Sequence, residues 1–245
     1  QPEPPKYFAQ MKRINKEGPP VLGGLPRPGR MSPDEVFDRL ERGGVVVDTR
    51  PWRKWSAAHV PGTLNIPLDR SFTTWAGWLL PYGRDLHLIV DRARLEEAVR
   101  ALATIGLDRI AGYVEPDIVE RWRADGRETA TVPEIGTAEV ARGLERGEVA
   151  VVDVRSAAEW EAGHLPGVPN LPVGALAARL AEVPTDRPVV LHCMGGARSA
   201  IAASVLLAGG IRDVSNMSGG FRAWSAGGRP VERDRAAPVA APRPG

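Results

Sequence analysis

The stretches "VVVDTRPWRKWSAAHVPGTLNIPL" (residues 45–68) and "VVDVRSAAEWEAGHLPGVPNLPV" (residues 151–173) are two versions of one pattern. A constant spacing of 105 positions pairs identical residues along the two stretches. Eight of these pairs are Asp48/Asp153, Arg50/Arg155, Trp55/Trp160, His59/His164, Pro61/Pro166, Gly62/Gly167, Asn65/Asn170 and Pro67/Pro172. Solenoid repeats have periods of about 20–50 residues, so this longer period predicts two copies of a whole domain.

Short runs rich in β-branched residues predict the strands of each copy. The runs "VVVD" (45–48) and "AVVDV" (150–154) are apolar enough for buried parallel strands. A later apolar run, "LHLIV" (86–90) or "PVVLH" (188–192), leads into a helical pattern. Because strands alternate with helices, the sequence predicts the α/β class, with two tandem domains that each hold a small parallel sheet flanked by helices.

Each copy opens with a helical pattern. The two segments are "SPDEVFDRLERGG" (32–44) and "GTAEVARGLERGE" (136–148). Ser32 and Thr137 are the predicted N-caps because acidic residues follow them within the first turn.

Composition sets the predicted boundaries. Residues 1–30 are rich in proline and glycine and predict an extended lead-in. The first domain is expected at 31–126 and the second at 134–232, with the linker near 124–134. Residues 233–245 are expected to be a disordered tail.

The overall composition narrows the class of protein. The chain has 245 residues, 43% of them hydrophobic and 25% charged, which is typical of soluble globular domains. A net charge of +2 does not favour a nucleic-acid partner. No apolar run approaches the roughly 20 residues that span a bilayer, so no membrane partner is expected. The single cysteine excludes an intrachain disulfide, fits a reducing compartment and predicts a cytoplasmic protein.

That cysteine, Cys193, lies in "HCMGGARS" (192–199), between a strand pattern and a helical pattern rich in small residues. A strand, a tight turn and a helix start bring backbone N–H groups together. We expect the amides of Gly195, Gly196 and Ala197 to point at the sulfur. Such a position lowers a cysteine pKa from about 8.5 to roughly 3.5–7.5, which predicts a nucleophilic thiolate rather than a merely buried side chain.

The other side chains of this loop have separate expected roles. Arg198 supplies a fixed cation, and we expect it to bind an anionic donor; an ion pair at the helix start is the alternative. Ser199 is placed to cap the helix, and Met194 to line the mouth of the site. His192 precedes the nucleophile on a strand, so its side chain should face away and is not expected to act as a base.

Three segments of the second copy carry a family resemblance. They are "VVDVRSAAEWEAGHLPGVPNLP" (151–172), "LHCMGGARS" (191–199) and "VSNMSGGFRAW" (214–224). Through them, this copy resembles the rhodanese (sulfurtransferase) family over essentially its whole length. The resemblance implies that Cys193 carries a persulfide and that Arg198 closes a C-x4-R loop.

The function implied by the resemblance is sulfur transfer without a cofactor. Sulfane sulfur would move from thiosulfate or a low-molecular-weight persulfide to a thiophilic acceptor, which is sulfite, cyanide or a thiol. Donor and acceptor are small molecules, and the sequence leaves the physiological pair open. The implied substrate-binding residues are Met194, Gly195, Gly196, Ala197, Arg198 and Ser199.

Three residues near the loop are expected to be structural. Asp153 and Arg155 follow the first strand of the copy and should pair with each other. His164 recurs as His59 in the copy that has no thiol, so it should brace the turn rather than take part in the chemistry.

The first copy resembles the same family but lacks the nucleophile. Aligning "LHLIVD" (86–91) with "PVVLHC" (188–193) puts Asp91 opposite Cys193. The loop that follows is then about two residues short and has no glycine. We therefore predict that the first domain is inactive.

The segment "PPKYFAQMKRINKEGPP" (4–20) resembles the end of the metallo-β-lactamase-fold domain in persulfide dioxygenase–rhodanese fusion proteins. This resemblance implies such a dioxygenase domain as a partner, in cis or in trans. The four histidines of the chain are too widely spaced for a metal-binding motif, so no metal site is expected.

Two other classes of function stay open. A cysteine phosphatase also holds an oxyanion between a cysteine and an arginine, but in a C-x5-R loop, whereas four residues separate Cys193 from Arg198. A non-catalytic docking module for a persulfide dioxygenase would suit the degenerate first copy, although the intact second loop argues against it.

Overall fold

The computed structural model of the protein describes residues 7–18 and 23–233. Its first half contains α1 (Tyr7–Glu17), β1 (Gly29–Arg30), α2 (Pro33–Glu41), β2 (Val45–Asp48), α3 (Trp52–Ala57), β3 (Leu64–Asn65), α4 (Phe72–Leu79), β4 (Leu86–Ile89), α5 (Leu95–Thr104), β5 (Ile110–Val114) and α6 (Ile118–Ala124). Its second half contains β6 (Glu134–Ile135), α7 (Thr137–Arg146), β7 (Ala150–Asp153), α8 (Ala157–Glu161), α9 (Val173–Leu176), β8 (Val189–His192), α10 (Ala197–Ala208), β9 (Val214–Met217) and α11 (Gly220–Ala226).

Two parallel sheets organise these elements. The first has the strand order β1-β5-β4-β2-β3, and the second has the order β6-β9-β8-β7. The second sheet repeats the order of the first, with the single parallel bridge between Asp153 and Asn170 in the place of β3. The predicted α/β fold with parallel sheets flanked by helices is confirmed, and the two sheets fit two domains.

The strands are apolar on both faces because helices cover both sides of each sheet. In β7, Val151 packs in a cluster with Trp224 of α11, whereas the next residue, Val152, packs in a cluster with Ile201 of α10. Successive side chains of a strand point to opposite faces of the sheet, so a short run of valines contributes to the apolar clusters on both faces.

The prediction of an extended lead-in is wrong for the described part of residues 1–30. Residues 7–17 form α1, and β1 joins the first sheet by pairing with β5, so the first domain begins before residue 31. The helix forms because its apolar side chains meet the domain. An added Cβ at Gly77 would lie 2.5 Å from the Tyr7 ring, and one at Gly106 would lie 3.0 Å from Ile14. Of the predicted tail, residues 234–245 lie outside the described residues.

The two predicted N-caps have different outcomes. Ser32 caps α2 in a capping box, in which its hydroxyl accepts from the Glu35 amide and the Glu35 side chain accepts from the Ser32 amide. The prediction for Thr137 is wrong, because α7 includes Thr137 as its first residue and Gly136 occupies the cap position.

The two halves share an apolar interface. Trp55 of α3 is fully buried and belongs to the core cluster of the second sheet, against which Trp75 and Leu79 of α4 also pack. An added Cβ at Gly174 of α9 would lie 2.5 Å from the Trp78 ring of α4. The first copy is therefore joined to the second by packing as well as by the chain.

The contact between Gly174 and Trp78 gives a direct test of this interface. In Gly174→Ala, the new methyl group must displace the Trp78 ring, so we expect the free energy of unfolding to fall by about 1–3 kcal/mol, as in other overpacked cores. Urea unfolding of the full chain measures it. Gly29→Ala is the matched control because an added Cβ there meets nothing within 4 Å and the residue lies outside the helices. Equal stability of the two variants would contradict the close packing of α4 on α9.

Candidate active site

Cys193 directly follows β8, at the carboxyl end of a parallel strand, and its side chain is 2% exposed. The Phe221 amide at the start of α11 donates to the Cys193 carbonyl at 2.7 Å. Gly220 has a φ of +58°, and a Cβ there would collide with this same carbonyl. The loop is thus held by three segments, which are the end of β8, the start of α10 and the start of α11.

The sulfur of Cys193 is surrounded by hydrogen-bond donors. The Gly196 amide donates to Sγ at 3.1 Å, and the Ser199 hydroxyl lies 3.5 Å from it. Burial by itself raises the pKa of Cys193, but hydrogen bonds from the Ser199 hydroxyl and from the amides of Gly195, Ser199 and Gly196 outweigh burial and lower the pKa. The site therefore favours the thiolate, which is the nucleophilic form.

The structure corrects the predicted set of amides. Gly195 and Gly196 contribute as expected, but the third amide that lowers the pKa belongs to Ser199 and not to Ala197. The reason is the start of α10, where Ala197 is the first helical residue and Gly196 is the N-cap with a φ of +105°. This left-handed conformation, which glycine adopts at little cost, aims the Gly196 N–H at the sulfur.

Ser199 acts inside the site rather than as a helix cap, so the capping prediction is wrong. Its hydroxyl is fully buried and lies 2.7 Å from Asn216 Oδ1 and 3.1 Å from the Gly196 carbonyl, as well as near Sγ. A hydroxyl has one hydrogen, so these acceptors compete for it. Asn216 also donates to the Gly196 carbonyl at 3.0 Å.

Asn216 is a site residue that sequence reasoning missed. It is fully buried on β9 and fixes both Ser199 and the Gly196 peptide. Its position inside "VSNMSGGFRAW" was the available signal, because a buried polar residue in a strand needs partners.

Arg198 forms an ion pair at the start of α10, which was the alternative to the expected binding of an anionic donor. Its two terminal nitrogens donate to the two Glu159 oxygens of α8 at 2.6 and 2.7 Å. The Glu159 pKa falls to about 2, chiefly because of the Arg198 hydrogen bonds. The pKa of Arg198 is raised first by Glu159, with a further contribution from Cys193, so the guanidinium also acts on the sulfur. Binding of a donor anion by Arg198 stays a prediction.

The three residues expected to be structural occupy structural positions. Arg155 is buried with Asp153, donating to both of its carboxylate oxygens and to the Gly163 carbonyl at 2.7 Å. The His164 ring stacks on Trp160 with 3.7 Å between centroids, and its Nδ1 lies 2.9 Å from the Trp160 carbonyl. These contacts fix the turn after β7 and do not reach the sulfur.

The His192 side chain lies beside Asp153 of the neighbouring strand β7. Its Nε2 lies 3.6 Å from Asp153 Oδ2, and its Nδ1 lies 3.4 Å from the Cys193 carbonyl oxygen. Burial lowers the pKa of His192, with Asp153 opposing that effect. Met194 is half-buried at the loop, which is consistent with a position near the mouth.

The first copy covers part of the loop with an aromatic side chain. A Cβ added at Gly196 would lie 3.4 Å from the Trp52 ring of α3. The Arg53 guanidinium lies 4.4 Å from the centroid of the same ring. The surroundings of the thiolate therefore include residues from both copies.

The strand register corrects the alignment of the two loops. In the sheets, β2 pairs Asp48 with Ile89 and β7 pairs Asp153 with His192, so Ile89 corresponds to His192. Val90, and not Asp91, then corresponds to Cys193. From these positions to Gly106 and Gly210, each at positive φ after its helix, the intervals are 16 and 17 residues. The first loop is thus one residue short rather than two.

The fold and the site define a class of protein in which a parallel α/β sheet presents one cysteine thiolate within a loop of backbone amides. Within the described residues, no group of histidine, cysteine and acidic side chains is arranged to hold a metal ion. No helix in this part of the chain has the length and apolar character needed to cross a membrane.

Comparison with known proteins gives the family. The Rhodanese-like domain family matches residues 136–227. A sulfurtransferase of Allochromatium vinosum is 39% identical over 34% of this chain and 78% of its own length. The thiosulfate sulfurtransferase GlpE of Pseudoalteromonas translucida is 36% identical over 38% of this chain and 88% of its own length. The chain belongs to the rhodanese-like family.

A longer relative has a different name. An HTH-type transcriptional regulator of Mycobacterium tuberculosis is 42% identical over 106 residues, which are 43% of this chain and 46% of the regulator. This chain therefore spans about half of that relative's length.

The role of the Ser199 hydroxyl is open to a pH test. Ser199→Ala removes a hydroxyl that lowers the Cys193 pKa, so the pKa should rise. The thiolate fraction at neutral pH should then fall, and the pH profile of alkylation by iodoacetamide should move upward. Ser204→Ala is the control, since that buried hydroxyl bonds only to the Ile201 carbonyl at 2.6 Å. An unchanged profile in Ser199→Ala would mean that the amides alone stabilise the thiolate.

The predicted inactivity of the first loop can be tested at Val90, the counterpart of Cys193. A thiol in Val90→Cys would be buried without the amide donors of the second loop, so nothing would lower its pKa and it should react slowly at neutral pH. Mass analysis after brief alkylation at neutral pH should show one adduct, located on Cys193. The double variant Val90→Cys/Cys193→Ser should show none. Equal labelling at both positions would contradict the prediction that the first copy is inactive.

Proposed function

We propose that the protein is a sulfurtransferase that carries sulfane sulfur as a persulfide on Cys193. The proposed donors are thiosulfate or a low-molecular-weight persulfide, and the proposed acceptors are sulfite, cyanide or a thiol. The observation that carries the proposal is the buried Cys193 sulfur, with the Gly196 amide at 3.1 Å and the Ser199 hydroxyl at 3.5 Å, whose pKa is lowered despite burial. Relatives named as sulfurtransferases support it.

The first half of the proposed reaction loads the cysteine. The Cys193 thiolate attacks the outer sulfur of the donor, so a bond forms between Sγ and that sulfur as the donor's S–S bond breaks. The electron pair of the broken bond leaves on sulfite, if the donor is thiosulfate, or on a thiolate, if the donor is a persulfide. No external oxidant is required, because the sulfane sulfur of the donor already has the oxidation level that the persulfide needs.

The second half returns the thiolate. The acceptor attacks the outer sulfur of the Cys193 persulfide, and the electron pair of the S–S bond returns to Sγ. The donors that face Sγ, which are the Ser199 hydroxyl and backbone amides such as that of Gly196, stabilise the anion before and after transfer. The lowered Cys193 pKa favours the ionised nucleophile, so the proposed mechanism assigns no general base, and His192 lies beside Asp153 of the neighbouring strand.

The short loop favours sulfur over phosphate. Cys193 and Arg198 are separated by four residues, and the Arg198 fork is occupied by Glu159. A phosphoryl group has three equatorial oxygens to hold, and an arginine already bound to a carboxylate is not free to hold two of them. The non-catalytic docking role has no comparable support for the second copy.

The first copy is proposed to contribute structure and surface but no chemistry. Its Val90 has no thiol, and its α3 presents Trp52 to the catalytic loop. A metallo-β-lactamase-fold persulfide dioxygenase domain, in cis or in trans, is the proposed partner that would supply or consume the persulfide.

Loading of the cysteine is the test of this function. After incubation with thiosulfate or glutathione persulfide, the intact mass should increase by one sulfur atom, and cyanide should remove that atom as thiocyanate. Cys193→Ser should abolish both effects, because the only thiol is lost. An aryl phosphate assay run in parallel should give no turnover. An unchanged mass with both donors would overturn the sulfurtransferase proposal.

A further inference from the structure

The ion pair between Glu159 and Arg198 has a feature that the sulfur-transfer mechanism does not require. Both Glu159 oxygens are bound by the guanidinium, at 2.6 and 2.7 Å. The same carboxylate accepts from the Ser156 hydroxyl at 2.8 Å and from the Ser156 amide at 3.2 Å. The Arg198 guanidinium, five positions after Cys193, is therefore held in place, and its charge is balanced by the Glu159 carboxylate.

The fold does not demand a carboxylate at this position. At the spacing of 105 residues that relates the two copies, the counterpart of Glu159 is Lys54, and the counterpart of Ser156 is Pro51. Helix α3 nevertheless forms in the first copy, with Pro51 at its cap position. Glu159 thus accompanies the copy that carries the thiol.

The pair changes the charge that an approaching molecule meets. The Arg198 and Glu159 side chains are 26% and 31% exposed, so a ligand near Cys193 is only partly screened from them by water. Arg198 alone would present a full positive charge to an anion, whereas the bound pair presents a dipole with no net charge.

We propose that Glu159 sets the charge selectivity of Cys193 by masking Arg198. The masked arginine gives little assistance to thiosulfate, a dianion whose charge lies next to the reacting sulfur. The site is thereby biased toward organic persulfides, in which the group attached to the sulfane sulfur is a thiol residue rather than a sulfonate. This inference rests on the proposed sulfur transfer for its choice of donors, but its effect on Cys193 is independent of that function.

The masking is measured by comparing two alkylating agents that differ in charge. Iodoacetate is an anion and iodoacetamide is neutral, and both react with the same thiolate. A change in the Cys193 pKa affects both rates equally and cancels in their ratio. The ratio of the iodoacetate rate to the iodoacetamide rate therefore reports the electrostatic field at the sulfur.

Glu159→Gln in the full chain is the test variant, since glutamine also serves in a capping box and keeps the shape of the side chain. We expect the rate ratio to rise about fivefold, as for one unmasked charge in partly screened surroundings, and to fall back with added salt. Glu161→Gln, an exposed carboxylate on the same helix, is the matched control and should leave the ratio unchanged. An unchanged ratio in Glu159→Gln would overturn the proposal.

Removing the arginine separates masking from a merely structural role. In Arg198→Ala, the Glu159 carboxylate is left unpaired, so the ratio should fall below that of the unmodified protein. The double variant Arg198→Ala/Glu159→Gln should return toward the original value, because the two charges act through each other. If the ratio in Arg198→Ala does not fall, Glu159 does not influence the sulfur and the proposal fails.

The donor preference follows in a separate assay. In Glu159→Gln, kcat/KM for thiosulfate should rise relative to kcat/KM for glutathione persulfide by about the same fivefold factor. If neither donor loads the unmodified protein, the sulfurtransferase proposal fails while the alkylation ratio still decides the role of Glu159. If both donors work and their relative kcat/KM is the same in the two proteins, the masking proposal fails.

Discussion

A negative charge on a buried sulfur is the constraint on which the second half of this structure depends. Burial by itself raises the pKa of Cys193, and hydrogen bonds from the Ser199 hydroxyl and three backbone amides outweigh that effect. The donors are supplied by one turn of chain at the start of α10. That turn exists because Gly196 adopts a left-handed conformation and because Gly220 lets α11 approach the Cys193 carbonyl. The sheet and the two helices serve to bring these segments to one place.

Two ion pairs of this protein have different physical roles. The pair between Asp153 and Arg155 is buried and has the same geometry as the pair between Asp48 and Arg50 in the copy without a thiol. Buried charges are stabilised only when their hydrogen bonds are satisfied. Each arginine therefore also donates to a backbone carbonyl, Arg155 to that of Gly163 and Arg50 to that of Ala58. This pair belongs to the fold. The partly exposed pair between Glu159 and Arg198 occurs only beside the thiolate, and we assign it to the site.

The first copy affects the site through packing. Trp55 is buried in the core of the second sheet, and Trp52 lies over the loop glycine whose amide binds the sulfur. Its own loop has no thiol and is one residue shorter than that of the second copy, but the first copy has the turn that carries these tryptophans. The turn has a stacked pair in both copies, Trp55 with His59 in the first and Trp160 with His164 in the second. One motif thus stabilises its own turn in each copy, and in the first copy it also forms an interface.

Much of the fold and the centre of the site followed from the sequence, because they depend on local signals. Valine runs, the 105-residue spacing and a cysteine before two glycines and a helix are readable along the chain, and they led to the two parallel sheets and to the position of Cys193. The helix at Tyr7–Glu17 was missed because its stability comes from contacts with Gly77 and Gly106 of the first domain.

Only the tertiary structure decided which residues complete the site. Ser199 meets Asn216 across 17 positions of sequence, and Arg198 meets Glu159 across 39. The hydrogen-bond register between the strands, rather than sequence similarity, identified Val90 as the counterpart of Cys193. The sequence by itself determined where a thiolate is made, since a turn and a helix start are short-range structures. Which side chains surround that thiolate depends on long-range packing that no single segment encodes.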